Sequence, residues 1–445
     1  MSKYDIIVVG GGPAGLFACY ELIKSGSKLK IALIDMGKTL NKRKPTEVMS
    51  GIGGAGTFSD GKLHFTADLS HEKAFHILPK SKYQKILDYV DTVFTEFGVD
   101  SEYFPKFTPA YDELIRSAVL NDIDLIVRKA RHVGTDKLRN VIQNFEEFLV
   151  NSGVEILDQT EVVDLIVQKN AVKGVITKKK EEIYSKVVLL APGRIRASWM
   201  QDIADKYGIR YIYDKVEVGV RVEFLAEIMR KQAETLYETV YKIRTKTYHD
   251  IIRTFCSCPN GEVATESYDG YVCVNGHSNS THLSKNSNFA FLNEVHLTEP
   301  VENSIAYAKS IAQVASTIGG GKPLLQSLED LKCGRRSTWR RLEKSFVEPS
   351  LTDVTPGDIA MALPYRIVKN ITEGLETLEK VMPGINSGST LLYAPEVKFR
   401  SSKISTDKKL QTSVNGLYVA GDGAGLSGSI TGAAVTGVIF ARSLF

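Results

Sequence analysis

Three glycines near the N-terminus, Gly10, Gly12 and Gly15, have a spacing that is typical of loops that hold a pyrophosphate. The short apolar run of residues 4–9 precedes them and predicts a strand, while a helical pattern begins at Pro13. In such a strand–turn–helix unit, Gly10 permits the tight turn and Gly12 lacks the Cβ atom that would block the phosphates. Gly15 lets the helix pack closely on the sheet. The pattern therefore predicts a dinucleotide site.

Pro13 and Ala14 open the predicted helix, whose N-terminus offers free N–H groups and the positive end of a dipole to an anion. A second apolar, strand-like run covers residues 30–35 and ends at Asp35, which is followed by Met36. Asp35 lies 20 residues beyond the last glycine of the pattern, so its carboxylate can accept hydrogen bonds from an adenosine ribose. We therefore expect Asp35 and Met36 to lie beside the bound nucleotide.

A glycine-rich segment near the C-terminus indicates which dinucleotide binds. A strand-like run ends in Gly421 and Asp422, and a helix of small residues opens with Gly428, Ser429 and Ile430. This arrangement resembles the glutathione-reductase-like flavoproteins, in which the Gly-Asp pair binds the ribityl chain and phosphate region of the flavin. The helix there points its N-terminus at the pyrimidine end of the isoalloxazine, where positive potential favours the anionic reduced flavin. The resemblance implies FAD, held without a covalent bond.

Two segments between these ends also resemble the glutathione-reductase-like pattern. Ala191, Pro192 and Gly193 follow a strand-like run where these proteins have Ala-Thr-Gly, so Pro192 departs from the pattern by removing a hydroxyl and an N–H. Val162 falls where these proteins hold adenine through the backbone. A further glycine pattern at residues 51–56 lacks a convincing strand before it and an acidic residue after it. We therefore expect no second nucleotide domain.

The loop of residues 53–63 resembles the uncharacterised FAD-dependent dehydrogenase family of bacteria and archaea, in the wider group of geranylgeranyl reductases and aromatic hydroxylases. Further segments that match this family are residues 132–136, 218–223, 255–259, 274–277 and 420–425. At residues 396–400 the sequence matches the family's Glu/Arg/Ser segment only loosely. The resemblance implies a redox activity on an unassigned substrate and flavin contacts from Gly53, Gly54, Ala55, Gly56, Ser59 and Lys62.

Candidate substrate-binding groups lie on a predicted strand, residues 216–224, in which apolar and polar residues alternate strictly. The apolar face must pack on a core, so the other face meets either water or the cleft between the domains. In the cleft, Arg221 would anchor an anionic or carbonyl group, and Glu223 would fix the guanidinium through a charge-assisted pair. Gly219 favours the cleft, because a glycine within a strand often marks close approach by a ligand. His277 is a further candidate, as a general acid near the flavin.

These motifs require an α/β architecture to position them. We predict a Rossmann-type FAD-binding domain from residues 1–210 and 392–445, with an inserted α+β substrate domain at residues 211–391. A chain of 445 residues is too long for one compact core, which agrees with two domains. Short strand-like runs between residues 154 and 177 predict a small meander within the first domain.

The composition excludes several classes of protein. Hydrophobic residues make up 43% of the chain, as in globular proteins, and the net charge of +4 lacks the basic excess of a nucleic-acid binder. No run approaches ~18 apolar residues, and no leader precedes the first strand, so we expect no transmembrane segment and a cytoplasmic location. The cysteines suggest neither a disulfide framework nor a metal site, and we expect Cys256 and Cys258 to be half-buried thiols.

Together these features predict an FAD-dependent dehydrogenase or reductase that transfers a hydride between flavin N5 and a small-molecule substrate at the interdomain cleft. Candidate electron donors are NAD(P)H, ferredoxin and a quinol, of which ferredoxin would be a redox partner protein. Three alternatives stay open: a flavin monooxygenase, a flavin-dependent RNA-modifying enzyme and a non-catalytic flavoprotein. Hydroxylases of this group carry Asp-Gly where this chain has Pro192 and Gly193, and the balanced charge disfavours RNA.

Overall fold

The computed structural model describes residues 3–26, 28–44, 47, 49–58, 61–67, 77–213, 216–268, 271–278, 283–295, 303–398 and 402–445. Its helices are α1 (Pro13–Lys24), α2 (Lys80–Glu96), α3 (Pro109–Leu120), α4 (Thr135–Asn151), α5 (Ala197–Lys206), α6 (Arg230–Leu236), α7 (Ser304–Ile318), α8 (Leu328–Lys332), α9 (Trp339–Leu342), α10 (Tyr365–Leu378) and α11 (Ile430–Arg442). None of these described helices is both long and apolar enough to cross a membrane.

The strands are β1 (Ile6–Val9), β2 (Ile31–Ile34), β3 (Lys62–His64), β4 (Tyr103–Phe104), β5 (Asp124–Ile126), β6 (Ala130–His132), β7 (Glu155–Leu157), β8 (Val162–Gln168), β9 (Ala171–Thr177), β10 (Glu182–Tyr184), β11 (Val187–Leu190), β12 (Tyr211–Ile212), β13 (Val216–Leu225), β14 (Val240–Arg244), β15 (Ile251–Cys258), β16 (Glu262–Tyr268), β17 (Tyr271–His277), β18 (Asn286–Val295), β19 (Leu324–Ser327), β20 (Thr355–Pro356), β21 (Leu391–Lys398), β22 (Lys403–Ile404) and β23 (Leu417–Val419).

The chain divides into two compact units. The first comprises Met1–Tyr103, Lys129–Asp214 and Arg400–Phe445, and the second comprises Phe104–Arg128 and Lys215–Phe399. The predicted boundary at residue 391 would cut β21 at its first residue, so the second unit instead extends to residue 399. The segment 104–128 also belongs to the second unit, because β5 pairs with β14. Pairing between segments so distant in sequence leaves no local signal.

The first unit is built on a five-stranded parallel sheet in the order β23-β11-β1-β2-β7. β1 and β2 are buried along their whole length, which explains why both are continuously apolar. β1 leads into α1 and then into its neighbour β2, which is the βαβ unit that the glycine pattern predicts. The predicted Rossmann-type α/β fold is therefore confirmed.

The C-terminal helix α11 packs closely on α1. A Cβ atom at Gly437 in α11 would lie 2.1 Å from the carbonyl oxygen of Ala14 and 2.9 Å from the amide nitrogen of Ala18. α11 follows β23 as α1 follows β1, and both strands are parallel to β11 between them. Both helices therefore start at the same edge of the sheet, and their N-termini are brought together there.

The second unit is built on an eight-stranded sheet in the order β20-β19-β21-β13-β18-β15-β14-β5. β13 pairs antiparallel with β18 and β21. Its apolar side chains pack in one core with residues of α7 and α10, as the alternation predicts. The opposite face is buried as well, because Glu217, Arg221 and Glu223 are each at most 1% exposed. The predicted alternative of a water-facing sheet surface is therefore wrong.

Replacing Gly437 with alanine separates helix propensity from packing. Alanine favours a helix interior over glycine by about 1 kcal/mol, so propensity alone would stabilise the protein. The added Cβ atom would instead collide with backbone atoms of α1, and such overpacking costs about 1–3 kcal/mol. Because backbone cannot rotate away, we expect the collision to dominate and the thermal unfolding midpoint to fall. A variant at least as stable as the wild type would show that the two helices do not pack this closely.

Candidate functional site

The turn after β1 leaves no room for a side chain at two of its glycines. Gly10 has a φ of +107°, and a Cβ atom there would lie 2.0 Å from the carbonyl oxygen of Ala191. A Cβ atom at Gly15 would lie 2.0 Å from the carbonyl oxygen of Gly10. The packing of the turn between β11 and α1 therefore requires glycine at both positions, whether or not a ligand binds.

Gly12 differs, because the protein alone does not require a glycine there. Its φ is −74°, and a Cβ atom would meet only the Cα atom of Gly54, at 4.0 Å. Gly12 is the N-cap of α1, no side chain caps this helix end, and Pro13 takes the first helical position. Open space beside a helix N-terminus suits a diphosphate, since the N–H groups and the helix dipole both attract negative charge. These residues fit the pyrophosphate of FAD.

Asp35, directly after β2, joins three segments of this site. One carboxylate oxygen accepts hydrogen bonds from the backbone N–H groups of Gly37 and Gly51, each at 2.8 Å. The other oxygen accepts a hydrogen bond from the N–H of Gly11 at 2.7 Å. Asp35 therefore shapes the glycine-rich turn, a role that the sequence analysis did not assign to it. Its contact with a ribose stays a prediction, as does the contact of Met36 with the nucleotide.

Arg43 holds the loop that follows. Its buried guanidinium donates hydrogen bonds to the carbonyl oxygens of Ile52 at 2.6 Å and Glu47 at 2.8 Å. It also donates to the carbonyl oxygen of Gly54 at 3.2 Å and stacks on the ring of Phe58 at 4.7 Å. Burial lowers the pKa of Arg43 from its ordinary value. No motif marked this residue, although it is the only arginine in the long glycine-rich loop of residues 41–66.

The loop of residues 53–56 lies against the N-termini of both helices. A Cβ atom at Gly54 would lie 3.1 Å from the Cα atom of Gly12, just before α1. A Cβ atom at Gly56 would lie 3.0 Å from a side-chain carbon of Ile430, the first residue of α11. The structure thus brings the predicted flavin-contacting loop together with the predicted pyrophosphate turn.

The remaining residues predicted to bind the cofactor lie in the same unit. Ala55 is exposed, and Lys62 is buried in β3. Ser59 lies outside the described residues. The carbonyl oxygen of Val162 accepts a hydrogen bond from Arg196 at 3.1 Å. The contact of Val162 with adenine stays a prediction, as do the flavin contacts of the loop.

Gly421 and Asp422 follow β23 and reach the first turn of α1. Gly421 has a φ of +72°, and a Cβ atom there would lie 3.2 Å from the Cβ atom of Ala14. Asp422 accepts hydrogen bonds from the Ser427 hydroxyl at 2.5 Å and from Arg194 at 3.2 Å. The Gly-Asp pair therefore lies beside the turn that is predicted to hold the pyrophosphate. If both ends of the chain bind one dinucleotide, they must lie this close together.

Ser429 caps α11, since its hydroxyl accepts a hydrogen bond from the N–H of Gly432 at 2.9 Å. Gly428 directly precedes this cap. The Thr431 hydroxyl donates a hydrogen bond to the carbonyl oxygen of His64 at 2.5 Å, which attaches the helix to β3. The N-terminus of this 13-residue helix is the positive end of its dipole and lies at the loop of residues 53–56.

The segment of Ala191, Pro192 and Gly193 continues β11 into the same site. The N–H of Ala191 donates a hydrogen bond to the carbonyl oxygen of Val9 at 2.7 Å. A Cβ atom at Gly423 would lie 3.0 Å from a ring carbon of Pro192. Gly193 has a φ of +69°, so the chain turns there in the left-handed region that favours glycine. Pro192 thus contacts the segment that carries the Gly-Asp pair.

Arg221 in the second unit does not form the pair that the sequence suggested. Its Nη1 atom lies 3.2 Å from the carboxylate of Glu396, and its Nε atom donates a hydrogen bond to Asn288 at 2.7 Å. Its Nη2 atom donates to the carbonyl oxygen of Cys256 at 2.8 Å. Burial opposes ionisation of Arg221, but Glu396 raises its pKa above the ordinary value. Removal of one partner of such a buried pair costs about 3–5 kcal/mol, so we expect substitution of Arg221 to destabilise the second unit.

Glu223 is bonded to other partners. It accepts hydrogen bonds from the hydroxyl of Tyr393 at 2.6 Å and from the backbone N–H of Ser350 at 3.2 Å. Burial raises the pKa of Glu223. The partners of Arg221 and Glu223 on β21 lie diagonally across from them, since Glu396 is opposite Gly219 and Tyr393 is opposite Arg221. The charged groups of β13 therefore bond to neighbouring segments, and the predicted Arg221–Glu223 pair is wrong.

Glycines shape this face for the protein itself. A Cβ atom at Gly219 would lie 1.9 Å from the carbonyl oxygen of Phe291, so the close approach at this glycine is made by β18, and its interpretation as a sign of a ligand is wrong. A Cβ atom at Gly276 would lie 1.7 Å from the Nη2 atom of Arg221, so Gly276 provides space for the guanidinium. His277 is exposed at the end of β17, and its role as a general acid stays a prediction.

Comparison with known proteins matches two parts of the chain to family models whose descriptions mention FAD. Residues 5–212 match a family model described as an FAD binding domain, and residues 215–399 match one described as FAD-dependent protein, C-terminal domain-like. An uncharacterised protein of Clostridium beijerinckii is 24% identical over 98% of this chain and 80% of its own length.

Two further relatives are similar over shorter parts. The tRNA uridine 5-carboxymethylaminomethyl modification enzyme MnmG of Alkaliphilus metalliredigens is 26% identical over 43% of this chain and 24% of its own length. The D-amino acid dehydrogenase of Helicobacter pylori is 31% identical over 30% of this chain and 28% of its own length. These matches cover about a quarter of each relative, so they say little about what the whole relative does.

The two family matches divide the chain between residues 212 and 215, where the parallel sheet of the first unit gives way to the eight-stranded sheet of the second. The match to the FAD binding domain contains the open turn at Gly12 and the loop of residues 53–56 that lies against it. Sequence family and local geometry therefore agree on the cofactor, and the chain belongs to the FAD-dependent oxidoreductases.

Proposed function

We propose that the protein is an FAD-dependent dehydrogenase or reductase that transfers a hydride between flavin N5 and a small-molecule substrate. The observation that supports it best is the open space beside Gly12 at the N-terminus of α1, where a Cβ atom would meet only the Cα atom of Gly54. FAD supplies the hydride chemistry when it is bound, and the protein binds it, orients it and sets the electrostatic potential around it.

Each end of the cofactor has residues suited to it, in the arrangement of the glutathione-reductase-like flavoproteins. Gly12 and the first turn of α1 would hold the pyrophosphate, and Asp35 would hold the adenosine ribose. Asp422 would bind on the flavin side. The N-terminus of α11 would place positive potential beside the isoalloxazine and stabilise the negative charge of the reduced form.

The proposals for the electron donor and the substrate rest on one glycine pattern and on the names of two relatives. The glycine pattern at residues 51–56 leads into the short 3-10 helix Gly54–Phe58 and not into a βαβ unit, so it offers NAD(P)H no domain of its own. Ferredoxin and a quinol are therefore serious alternatives to NAD(P)H as donors. The name of the D-amino acid dehydrogenase relative supports a small organic substrate. The name of the MnmG relative keeps RNA modification as an alternative, which the balanced charge disfavours.

Replacement of Gly12 by valine tests the cofactor site directly. The new Cβ atom meets only a carbon at 4.0 Å, so we expect the fold to survive while the isopropyl group excludes the pyrophosphate. Gly15→Val is the contrast, because its Cβ atom collides with backbone at 2.0 Å and should lower stability. Flavin absorbance of the purified variants and their thermal unfolding separate the two effects. A colourless wild type that does not bind added FAD would refute the proposal.

Arg43→Gln tests whether the loop of residues 53–56 must be held in place. The change removes charge-assisted hydrogen bonds to three carbonyl oxygens, with an expected loss of about 1.5–3 kcal/mol in FAD binding. Arg139→Gln is the matched control, since Arg139 makes a 3.3 Å hydrogen bond to a nearby carbonyl oxygen, that of Leu40. FAD affinity is measured by titration of the apoproteins. Equal affinities of both variants would show that Arg43 does not position the loop.

NADPH should bind the oxidised holoprotein weakly at most, because the described residues contain one dinucleotide turn and FAD fills it. Equilibrium binding of NADH and NADPH, measured by fluorescence of the reduced nicotinamide, provides the test. Saturable binding at micromolar concentrations or below would contradict the assignment of a single nucleotide site.

A further inference from the structure

Arg253, on β15, forms a buried ion pair with Glu217 on β13, on the polar sheet face of the second unit. Its Nε and Nη2 atoms donate hydrogen bonds to the two carboxylate oxygens of Glu217 at 2.6 Å and 2.8 Å. Both side chains are 1% exposed. This two-point contact fixes the plane and direction of the guanidinium, and the ring of Phe255 lies 4.6 Å from its central carbon.

The other edge of the same guanidinium is unused. Glu217 takes the Nε–Nη2 edge, whereas Nη1 is buried and has no hydrogen-bond partner among the described residues. The Nη1–Nη2 edge therefore presents two parallel N–H groups, the arrangement that matches a carboxylate. Leaving charged donors buried and unpaired is unfavourable, so this edge gains from a ligand that carries two oxygens in one plane.

Arg221, on the same face, has a hydrogen-bond partner at each of its guanidinium nitrogens. Its Nε, Nη1 and Nη2 atoms all have protein partners, in Asn288, Glu396 and the Cys256 carbonyl. Arg221 therefore has no free edge for a substrate. Of the two buried arginines on this face, Arg253 is the one that can still bind a second anion.

The surroundings of Arg253 suit an incoming anion. Lys242 lies directly opposite Arg253 on β14 and is half-buried. Lys398 lies opposite Glu217 on β21, with 15% of its side chain exposed, and its ammonium contacts Glu396 at 2.9 Å. Glu294 lies opposite Glu217 on the other side. Two lysines thus flank the Arg253–Glu217 pair.

From this geometry we infer that Arg253 anchors a carboxylate group of the substrate, and that Glu217 is the positioning residue that holds the guanidinium in place. The inference rests on the proposed function and adds to it a substrate class, a small organic carboxylate, and replaces Arg221 as the anchor. The role of Arg253 is binding and orientation, with no transfer of atoms or electrons to or from its side chain.

Binding of benzoate and of its neutral counterpart benzamide to the FAD-loaded protein tests the anchor. The two probes have the same shape, so a carboxylate site should bind benzoate at least about tenfold more tightly, as isothermal titration calorimetry measures. Arg253→Lys keeps a positive charge beside Glu217 and loses the second edge. Its affinity for benzoate should fall by about 10- to 150-fold while its FAD content stays that of the wild type.

Arg366→Lys is the matched control. Arg366 pairs with Asp250 through the same Nε and Nη2 atoms, at 2.6 Å each, but its side chain is 57% exposed. We expect this control to bind benzoate as the wild type does. Unchanged benzoate affinity in Arg253→Lys, or equal affinities of the wild type for benzoate and benzamide, would overturn the inference. The second comparison uses the wild type alone, so it decides even where the variant does not fold.

The two proposals fail in different ways. A protein that prefers benzoate, but whose flavin no small molecule reduces or reoxidises, contradicts the proposed function and keeps the carboxylate anchor. A flavin that exchanges a hydride with an uncharged substrate, in a protein without preference for benzoate, contradicts the anchor and keeps the proposed function.

Discussion

The FAD site depends on one carboxylate that accepts three backbone hydrogen bonds. Asp35 binds the N–H groups of Gly11, Gly37 and Gly51, which belong to the turn before α1, the segment after β2 and the start of the long loop. Each hydrogen bond to a charged group contributes about 1.5–3 kcal/mol. Backbone hydrogen bonds from Gly53 to Gly11 at 2.8 Å and from Ile52 to Lys38 at 3.0 Å join the same segments, so Asp35 fixes their relative positions together with these bonds. These bonds fix the position of the loop whose Gly54 lies beside the open space at Gly12.

Local sequence signals were sufficient to predict the part of the fold that surrounds Asp35. Periodicity, a glycine spacing and one acidic residue predicted β1, α1 and β2, because all three are consecutive in sequence and pair with one another. The meander was predicted less well: the run at residues 154–157 is β7, which joins the parallel sheet, and β10 takes its place beside β9. A short apolar run shows that a strand forms but not which strand it pairs with.

The predicted Arg221–Glu223 pair failed for the same physical reason. Alternation along β13 correctly separated an apolar face from a polar one, but the partner of each charge lies on another strand. Glu396, which pairs with Arg221, is 175 residues away in sequence. Gly219 does mark a close approach. Its place in the sequence does not show which atom approaches, and in the structure that atom is the carbonyl oxygen of Phe291. A residue type and its spacing indicate what a position can do, whereas the partner that it meets is set by register.

Arg221 and Arg253 show that the hydrogen-bond partners of a residue, and not its type alone, decide whether it can bind a ligand. Both are buried arginines on one sheet face, each with a glutamate partner, and the sequence around them does not tell them apart. Gly276 makes room for Arg221 beside the Cys256 carbonyl, and this contact completes the hydrogen bonding of its guanidinium. No described group does the same for the Nη1 atom of Arg253. A buried cation with spare donors is less stable than a saturated one, and a ligand that satisfies them recovers that free energy on binding. Arg253, and not the fully hydrogen-bonded Arg221, is therefore the residue through which this face can bind an anion.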